Sequence, residues 1–222
     1  SSKRDTSSAV PSSPASSAPQ NNSSGTSSQP SVPPVIESDL TKVKVMGKSR
    51  ATAEMMATYL FEGLKKIKKE PKLNCSVWEL INYYLEEGEK EGVRGDIAFC
   101  QSIKETGWFT FGGDVLPEQN NYAGIGATGG VGGATFPTPQ IGVRAQIQHL
   151  KLYGSTEPLN GKCVDPRWFE WLRGTVTYWV EFGNGNWAAD TSGYGHDIMA
   201  KYASLMATTP DAALVAKAKK SP

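Results

Sequence analysis

Beyond about residue 50, apolar residues recur at helical spacing along most of the chain. Met56, Leu60, Leu64 and Ile67 form one stripe, which ends before Pro71. Ser76-Val-Trp-Glu79 has the form of a capping box, with Leu80, Ile81, Tyr84 and Leu85 behind it and Gly92 to stop the helix. From Gly95 to Gly107 the spacing predicts a third helix. Asp96 is placed to accept from the first free N–H groups, and Gly107 to end the helix in the left-handed conformation. Ala98, Gln101 and Glu105 share a stripe, while Ile97, Phe99, Cys100 and Ile103 make the rest apolar. Little on this segment except Lys104 favours bulk water, so it reads as a core helix. Thr138-Pro139 opens a fourth helix, with Val143, Ile147 and Leu150 as its stripe and Gly154 at its end. Asp165-Pro166 opens a short one that Gly174 ends, and Ile198, Tyr202 and Leu205 carry the last. The exception is Tyr122 to Phe136, rich in Gly with Val and Ile, which reads as a loop or small β-hairpin. The predicted fold class is mainly α.

Composition adds the domain plan. The chain has 222 residues, 38% hydrophobic and 20% charged, which suits one globular domain and some unfolded chain. Residues 1–36 are dominated by Ser, Pro, Ala and Asn, with no aromatic among them. Such a segment cannot bury enough surface to offset its conformational entropy, so it is expected to be a disordered linker. The folded domain is expected over 37–209. Residues 210–222 form a C-terminal tail rich in Ala and Lys, read as a short frayed helix or as disordered chain. No apolar run reaches the length of a signal peptide or membrane span. A chain opening on such a linker reads as cut from a signal peptide or an upstream anchor.

Net charge is +1, so nothing global points to nucleic acid or an anionic membrane. The basic run Lys65 to Lys72, interrupted by Glu70, reads as a solvated helix end. Cys75, Cys100 and Cys163 lack C-x-x-C spacing, so a zinc site is not expected. A bridge from Cys75 to Cys163 is left open, and Cys100 reads as a buried apolar residue.

Glu105 is the candidate for chemistry. It lies beside an apolar stripe, in the last turn of its helix, just before Trp108, Phe109 and Phe111. Desolvation and the negative end of the helix dipole both favour the protonated carboxyl, which suits a general acid near neutral pH. The other motifs are decoys. Gly124-Ile-Gly-Ala-Thr-Gly129 fits G-x-G-x-x-G, but no βαβ unit surrounds it, so it reads as backbone that approaches a ligand. His149 and His196 are the two histidines; His149 lies beside Leu150 and reads as a hydrogen-bonded structural residue. No triad or metal signature occurs, and neither a metal nor a cofactor is expected. Trp108, Phe109, Tyr122, Phe136, Trp187 and Tyr194 fall in loops or at element ends, where flat rings stack on sugars. Trp168, Trp171 and Trp179 read as capping the core.

The words around Glu105 are specific. Ala98-Phe-Cys-Gln-Ser-Ile-Lys-Glu-Thr-Gly107 resembles the A-x-x-Q-x-x-x-E-[ST]-G motif of lysozyme-like peptidoglycan hydrolases. Asn120-Asn-Tyr-Ala-Gly-Ile-Gly126 resembles their N-N-[LFY]-x-G-I-[GK] motif. Phe136 to Leu150 is similar to the aromatic-plus-helix segment of one branch, and Trp187-Ala-Ala-Asp-Thr-Ser-Gly-Tyr194 to its Trp–Asp–Tyr ending. That branch is the N-acetylglucosaminidases of glycoside hydrolase family 73, of the autolysin and flagellar-muramidase type. The resemblance runs from about Asp39 to Leu205.

The resemblance implies a lysozyme-like helical domain that cleaves the β-1,4 bond after N-acetylglucosamine in peptidoglycan. Glu105 is the implied acid, with Tyr194 beside it. Substrate binding falls to Gln101, Trp108, Asn120, Asn121, Tyr122, Gly124, Phe136 and Trp187. The implied partner is the peptidoglycan glycan strand, met by an exported monomer at the cell wall. Glycosidases usually need a second carboxylate, and Asp114, Glu118 and Asp190 are the candidates. From Asn120 to Thr156 there is no Asp or Glu, where several relatives carry an acid. That absence favours attack by the sugar's own 2-acetamido oxygen, with Tyr194 orienting that group. A muramidase or lytic transglycosylase on the same fold, or a wall-binding module without catalysis, are the alternatives.

Overall fold

In a computed structural model, the residues described are 37–128, 130–189 and 193–222. The linker expected over 1–36, and Asp190, lie outside them. Among the described residues six α-helices follow in order: α1 (Ala53–Ile67), α2 (Val77–Glu91), α3 (Gly95–Thr106), α4 (Pro139–Gly154), α5 (Tyr194–Met206) and α6 (Ala212–Ala218). A hairpin of β1 (Ala127–Thr128) and β2 (Val131–Gly132) stands between α3 and α4, with Ala127 opposite Gly132 and Thr128 opposite Val131. This is a mainly helical, lysozyme-like domain with one small hairpin lobe.

α3 is the axis of the core. Every residue from Gly95 to Ile103 is buried. It packs against α2 through glycine, since a Cβ on Gly95 would sit 2.1 Å from the Tyr84 carbonyl oxygen. The two helices are joined by Gly92 in the left-handed conformation (φ 74°), so the corner closes within a few residues. The capping box at Ser76 forms as expected, and Thr138 caps α4 with Pro139 at its first position. Met56, Leu60, Leu64, Val143, Ile147, Leu150, Ile198, Tyr202 and Leu205 are all buried.

Three expectations are corrected, and the open question of the cysteines is answered. Asp96 is not a cap; it lies inside α3. Its carboxylate accepts from the backbone of Arg50, Ala51 and Ile97 and from the Arg94 guanidinium. Those bonds tie the 50–51 strand of chain to the helix start. Ile67 ends α1 on the surface, 40% exposed, because the stripe has rotated past the core by the last turn. Residues 165–174 form only a 3₁₀ turn at Glu170–Leu172, and Trp171 points outward instead of capping the core. All three cysteines are free thiols, so no bridge joins Cys75 to Cys163. Burial pushes the Cys75 thiol up to about 12.

Residues 212–218, within the expected tail, fold as α6 against α1. The Asp211 N–H donates to Thr58, Ala218 is buried, and Lys217 lies 4.6 Å over the Phe61 ring. No helix among the described residues is long and apolar enough to cross a membrane.

Candidate functional site

The site begins where α3 stops. Gly107 takes the left-handed conformation, and Trp108, Phe109 and Phe111 follow it there, with φ of 63°, 57° and 58°. A non-glycine residue pays about 1–2 kcal/mol for this. Burial of Phe109 and a set of backbone bonds hold the turn: Trp108 N–H to Ile103 O, Phe111 N–H to Thr106 O and Phe109 N–H to Thr106 Oγ1, all 2.8 Å. The threonine after Glu105 therefore has a structural task. It fixes the reversal that leaves Glu105 at the rim of a cavity of about 290 Å³. Glu105, Phe111, Asp114, Asn121, Gly124 and Ala127 are among its lining residues.

The Glu105 carboxyl is held from α5. The Tyr194 hydroxyl donates to its Oε1, and Gln101 Nε2 donates to the Tyr194 oxygen at 3.1 Å. Behind Gln101 the chain of bonds continues into the core. Gln146 Nε2 donates to Gln101 Oε1 and to the Ala98 carbonyl, both at 3.0 Å. Its Oε1 accepts from Tyr84 at 2.7 Å and Ser102 at 2.8 Å. The Ala98 carbonyl can only accept, so it fixes the orientation of the Gln146 amide. Gln146 then fixes Gln101, and Gln101 leaves Tyr194 one use for its proton, which is Glu105. The protonated carboxyl must therefore carry its own proton on Oε2. That oxygen faces Gly124, where a Cβ would lie 3.6 Å away.

Desolvation raises the Glu105 pKa above the usual carboxylate range, while the Tyr194 bond and the Lys104 charge act in the opposite sense. Glu105 is exposed at the cavity rim, while the protein atoms packed around its carboxyl disfavour the charge. Burial and the neighbouring Glu105 push the Tyr194 hydroxyl well up, which keeps it a donor.

The structure sorts the expected binding residues. Gly124 lines the Glu105 cavity, and with Trp187 it lines a second groove beyond the hairpin base. Asn121 also lines the cavity, but its amide is spent on the lobe: it donates to the Ile125 and Ala134 carbonyls and accepts from the Ile125 N–H, each at 3.0 Å. Asn120 is buried, donates to the Phe136 carbonyl and accepts from Asn74. Gln101 is buried in the relay. Tyr122 and Phe109 pack edge to face in the main core, and Phe136 packs with Ala123, Ile125 and Ala145. Trp108 lies over α1 against Tyr59, on another groove. Gln101, Trp108, Asn120, Tyr122 and Phe136 line neither the Glu105 cavity nor the second groove.

The carboxylates separate as well. Glu118 is exposed on a 3₁₀ turn and does not line the cavity. Asp114 does line it, and the Gly130 N–H holds its Oδ2 at 3.0 Å. Asp114 thus reaches the lobe from outside the Asn120–Thr156 stretch, by a bond to the hairpin turn. The Tyr194 hydroxyl is engaged by Glu105 and Gln101. His149 bonds Asp165 at 2.7 Å and packs edge-on to Trp187 at 4.8 Å, a structural residue as expected. Among the described residues no cluster of His, Cys, Asp and Glu is arranged to hold a metal. Gln146 went unnoticed in the sequence, although a glutamine among Val143, Ile147 and Leu150 is a signal of a buried polar network.

A carboxyl of raised pKa thus stands at the end of a core helix beside a hairpin lobe, in a lysozyme-like domain. The chain belongs to the glucosaminidase family, glycoside hydrolase family 73: the sequence model described as mannosyl-glycoprotein endo-beta-N-acetylglucosaminidase matches residues 81–208. An uncharacterized protein of Borreliella burgdorferi is 40% identical over 108 residues, 48% of this chain and 52% of that protein. The chain thus spans about half the length of that relative. No solved structure matches the chain significantly.

Proposed function

We propose that this protein is a peptidoglycan hydrolase that cleaves the β-1,4 bond between N-acetylglucosamine and N-acetylmuramic acid. The observation that carries the reading is Glu105, a carboxyl whose pKa burial raises, held at the cavity rim by the Tyr194 hydroxyl on Oε1 with Oε2 left toward the cavity. Glu105 protonates the leaving glycosidic oxygen as the C–O bond breaks. Asp114 then serves as the base that takes a proton from the attacking water. Family membership supports the substrate class, and no cofactor is called for. The reading places the protein outside the cytoplasm at the cell wall, as a monomer with its Ser/Pro-rich segment as tether.

Digestion of purified peptidoglycan followed by mass spectrometry tests this. The expected products end in reducing N-acetylglucosamine. Ends in N-acetylmuramic acid or its anhydro form would instead indicate a muramidase or transglycosylase. Binding to wall without any product would indicate a wall-binding module.

A further inference from the structure

Beyond the hairpin base lies a second groove of about 320 Å³. It shares Gly124 and Ala127 with the Glu105 cavity, so the two are continuous along one wall. Its outer lip is Arg167, Phe169 and Trp171. Trp171 is 75% exposed, more than any other large apolar side chain among the described residues. Its indole lies parallel to the Phe169 ring, with planes 6° apart and centroids at 6.1 Å. The Arg167 guanidinium lies 4.7 Å from the centre of the Phe169 ring.

This exposure is not the slack of a loose loop. Val164 N–H donates to Gln148 of α4 at 2.8 Å, and His149 holds Asp165, which in turn accepts the Arg167 N–H at 2.8 Å. Glu170 bonds the Trp168 indole and the Arg173 guanidinium, each at 2.9 Å. The segment is pinned on both sides of a Trp171 ring that remains bare, with Phe169 half-buried beside it. An apolar ring kept in water forgoes about 25 cal/mol for each Å² it leaves uncovered, and an ordered patch of this kind marks a binding surface.

We propose that Phe169 and Trp171 form a sugar-stacking subsite for the same glycan strand that reaches Glu105. The inference rests on the hydrolase reading above. Flat parallel rings match the apolar face of an N-acetylhexosamine, and Arg167 at the rim donates to hydroxyl or acetamido oxygens. A platform beyond the reacting bond gains affinity only from a strand long enough to occupy both. A stem peptide has no flat face to offer these rings and is the disfavoured occupant.

The test uses the full chain carrying Glu105→Gln, so that ligands bind without turnover. Calorimetry compares the N-acetylglucosamine hexamer with the dimer. Trp171→Ala is expected to weaken hexamer binding about 2- to 10-fold, the span of one aromatic stacking contact. Dimer binding stays unchanged, and Trp171→Tyr restores most of the loss. Because Trp171 is exposed, the fold should be unaffected, which its melting temperature checks. Equal hexamer affinity with and without Trp171, equal losses for both ligands, or a free stem peptide binding in a Trp171-dependent way would each overturn the subsite. Wall digestion by the chain with Glu105 intact separates the two readings. Trp171-dependent hexamer binding without hydrolysis defeats the hydrolase alone, and hydrolysis without Trp171 dependence defeats the subsite alone.

Discussion

The Tyr194 hydroxyl donates to Glu105 Oε1, and the direction of that bond is set by residues that do not touch the cavity. The polarity runs from the Ala98 carbonyl through Gln146 and Gln101, each bond at 3.0–3.1 Å. A hydrogen bond to the ionised carboxylate lowers its pKa. Tyr194→Phe removes that bond, so the basic limb of the pH–rate profile should move to higher pH while the rate falls. The other charged or titratable groups near Glu105 are Lys104 on its own helix, Asp197 paired to Lys104 from α5, and Asp114 across the cavity. Gln146→Leu should move the limb the same way. In a chain already carrying Tyr194→Phe it should add no further shift, because it acts through the tyrosine. A shift of equal size in both backgrounds would mean that Gln146 acts on packing instead. Carbon NMR of the Glu105 carboxyl gives the same answer without turnover.

Glu105→Gln should reduce wall lysis by about two orders of magnitude or more, within what general acid catalysis supplies. It should also stabilise the protein. Desolvation raises the folded-state pKa of Glu105 above its unfolded value. Between those two values the folded state holds more protons, so stability falls as pH rises. Glutamine removes that loss. The melting temperature of Glu105→Gln should exceed that of the parent at pH 7, and the two should converge below the unfolded carboxyl pKa of about 4.3. A variant less stable than the parent at pH 7 would contradict the assigned direction.

Helices α1 to α5 are legible because each is amphipathic or wholly apolar at a 3.6-residue period, with ends marked by Ser76, Gly92, Gly107 and Thr138. Glu105 was legible for the same reason, as the acid beside an apolar stripe. What sequence could not show is whether a polar or aromatic side chain is already satisfied. Asn120 and Asn121 have the composition of sugar-binding amides, yet the lobe backbone uses them up. Tyr122 and Phe136 look like stacking rings from their loop positions, yet both are buried. Trp171 looks like core and is bare, because the expected helix over 165–174 is an irregular segment pinned by Glu170. Asp114 reaches the lobe only through the chain's return to Gly130, a contact with no signature in local spacing.

A second stability prediction concerns an ion pair on the face of α2 and α4. Lys151 Nζ meets Glu91 Oε2 at 2.9 Å, with side chains 4% and 0% exposed. Glu91 also accepts from the backbone N–H groups of Asn160 and Gly161 at 2.9 and 3.0 Å, which anchors the chain after α4. Lys151→Met would leave a buried carboxylate without its cation, a loss of about 3–5 kcal/mol. Urea unfolding should show it as a lower midpoint with an unchanged slope. A loss under about 1 kcal/mol would place this pair among weak surface bridges.

The last prediction decides how water is activated. Asp114 lines the cavity of Glu105, and its Oδ2 is tethered to the hairpin turn through Gly130. If it is the base, Asp114→Asn should lower hydrolysis by about 10²–10⁴, the usual contribution of a positioned proton acceptor. Azide, which needs no deprotonation before attack, should then restore turnover and yield a glycosyl azide. Its anomeric configuration reports the mechanism: inversion follows a single displacement by the external nucleophile, with the carboxyls about 6.5–9.5 Å apart. Glu118→Gln, remote from the cavity, should leave the rate within about twofold, as an exposed substitution away from the site should. If Asp114→Asn is nearly silent while de-N-acetylated wall resists the parent enzyme, the sugar's own acetamido group is the nucleophile. Asp114 would then serve to hold the hairpin turn, and the Gly130 bond would be its whole role.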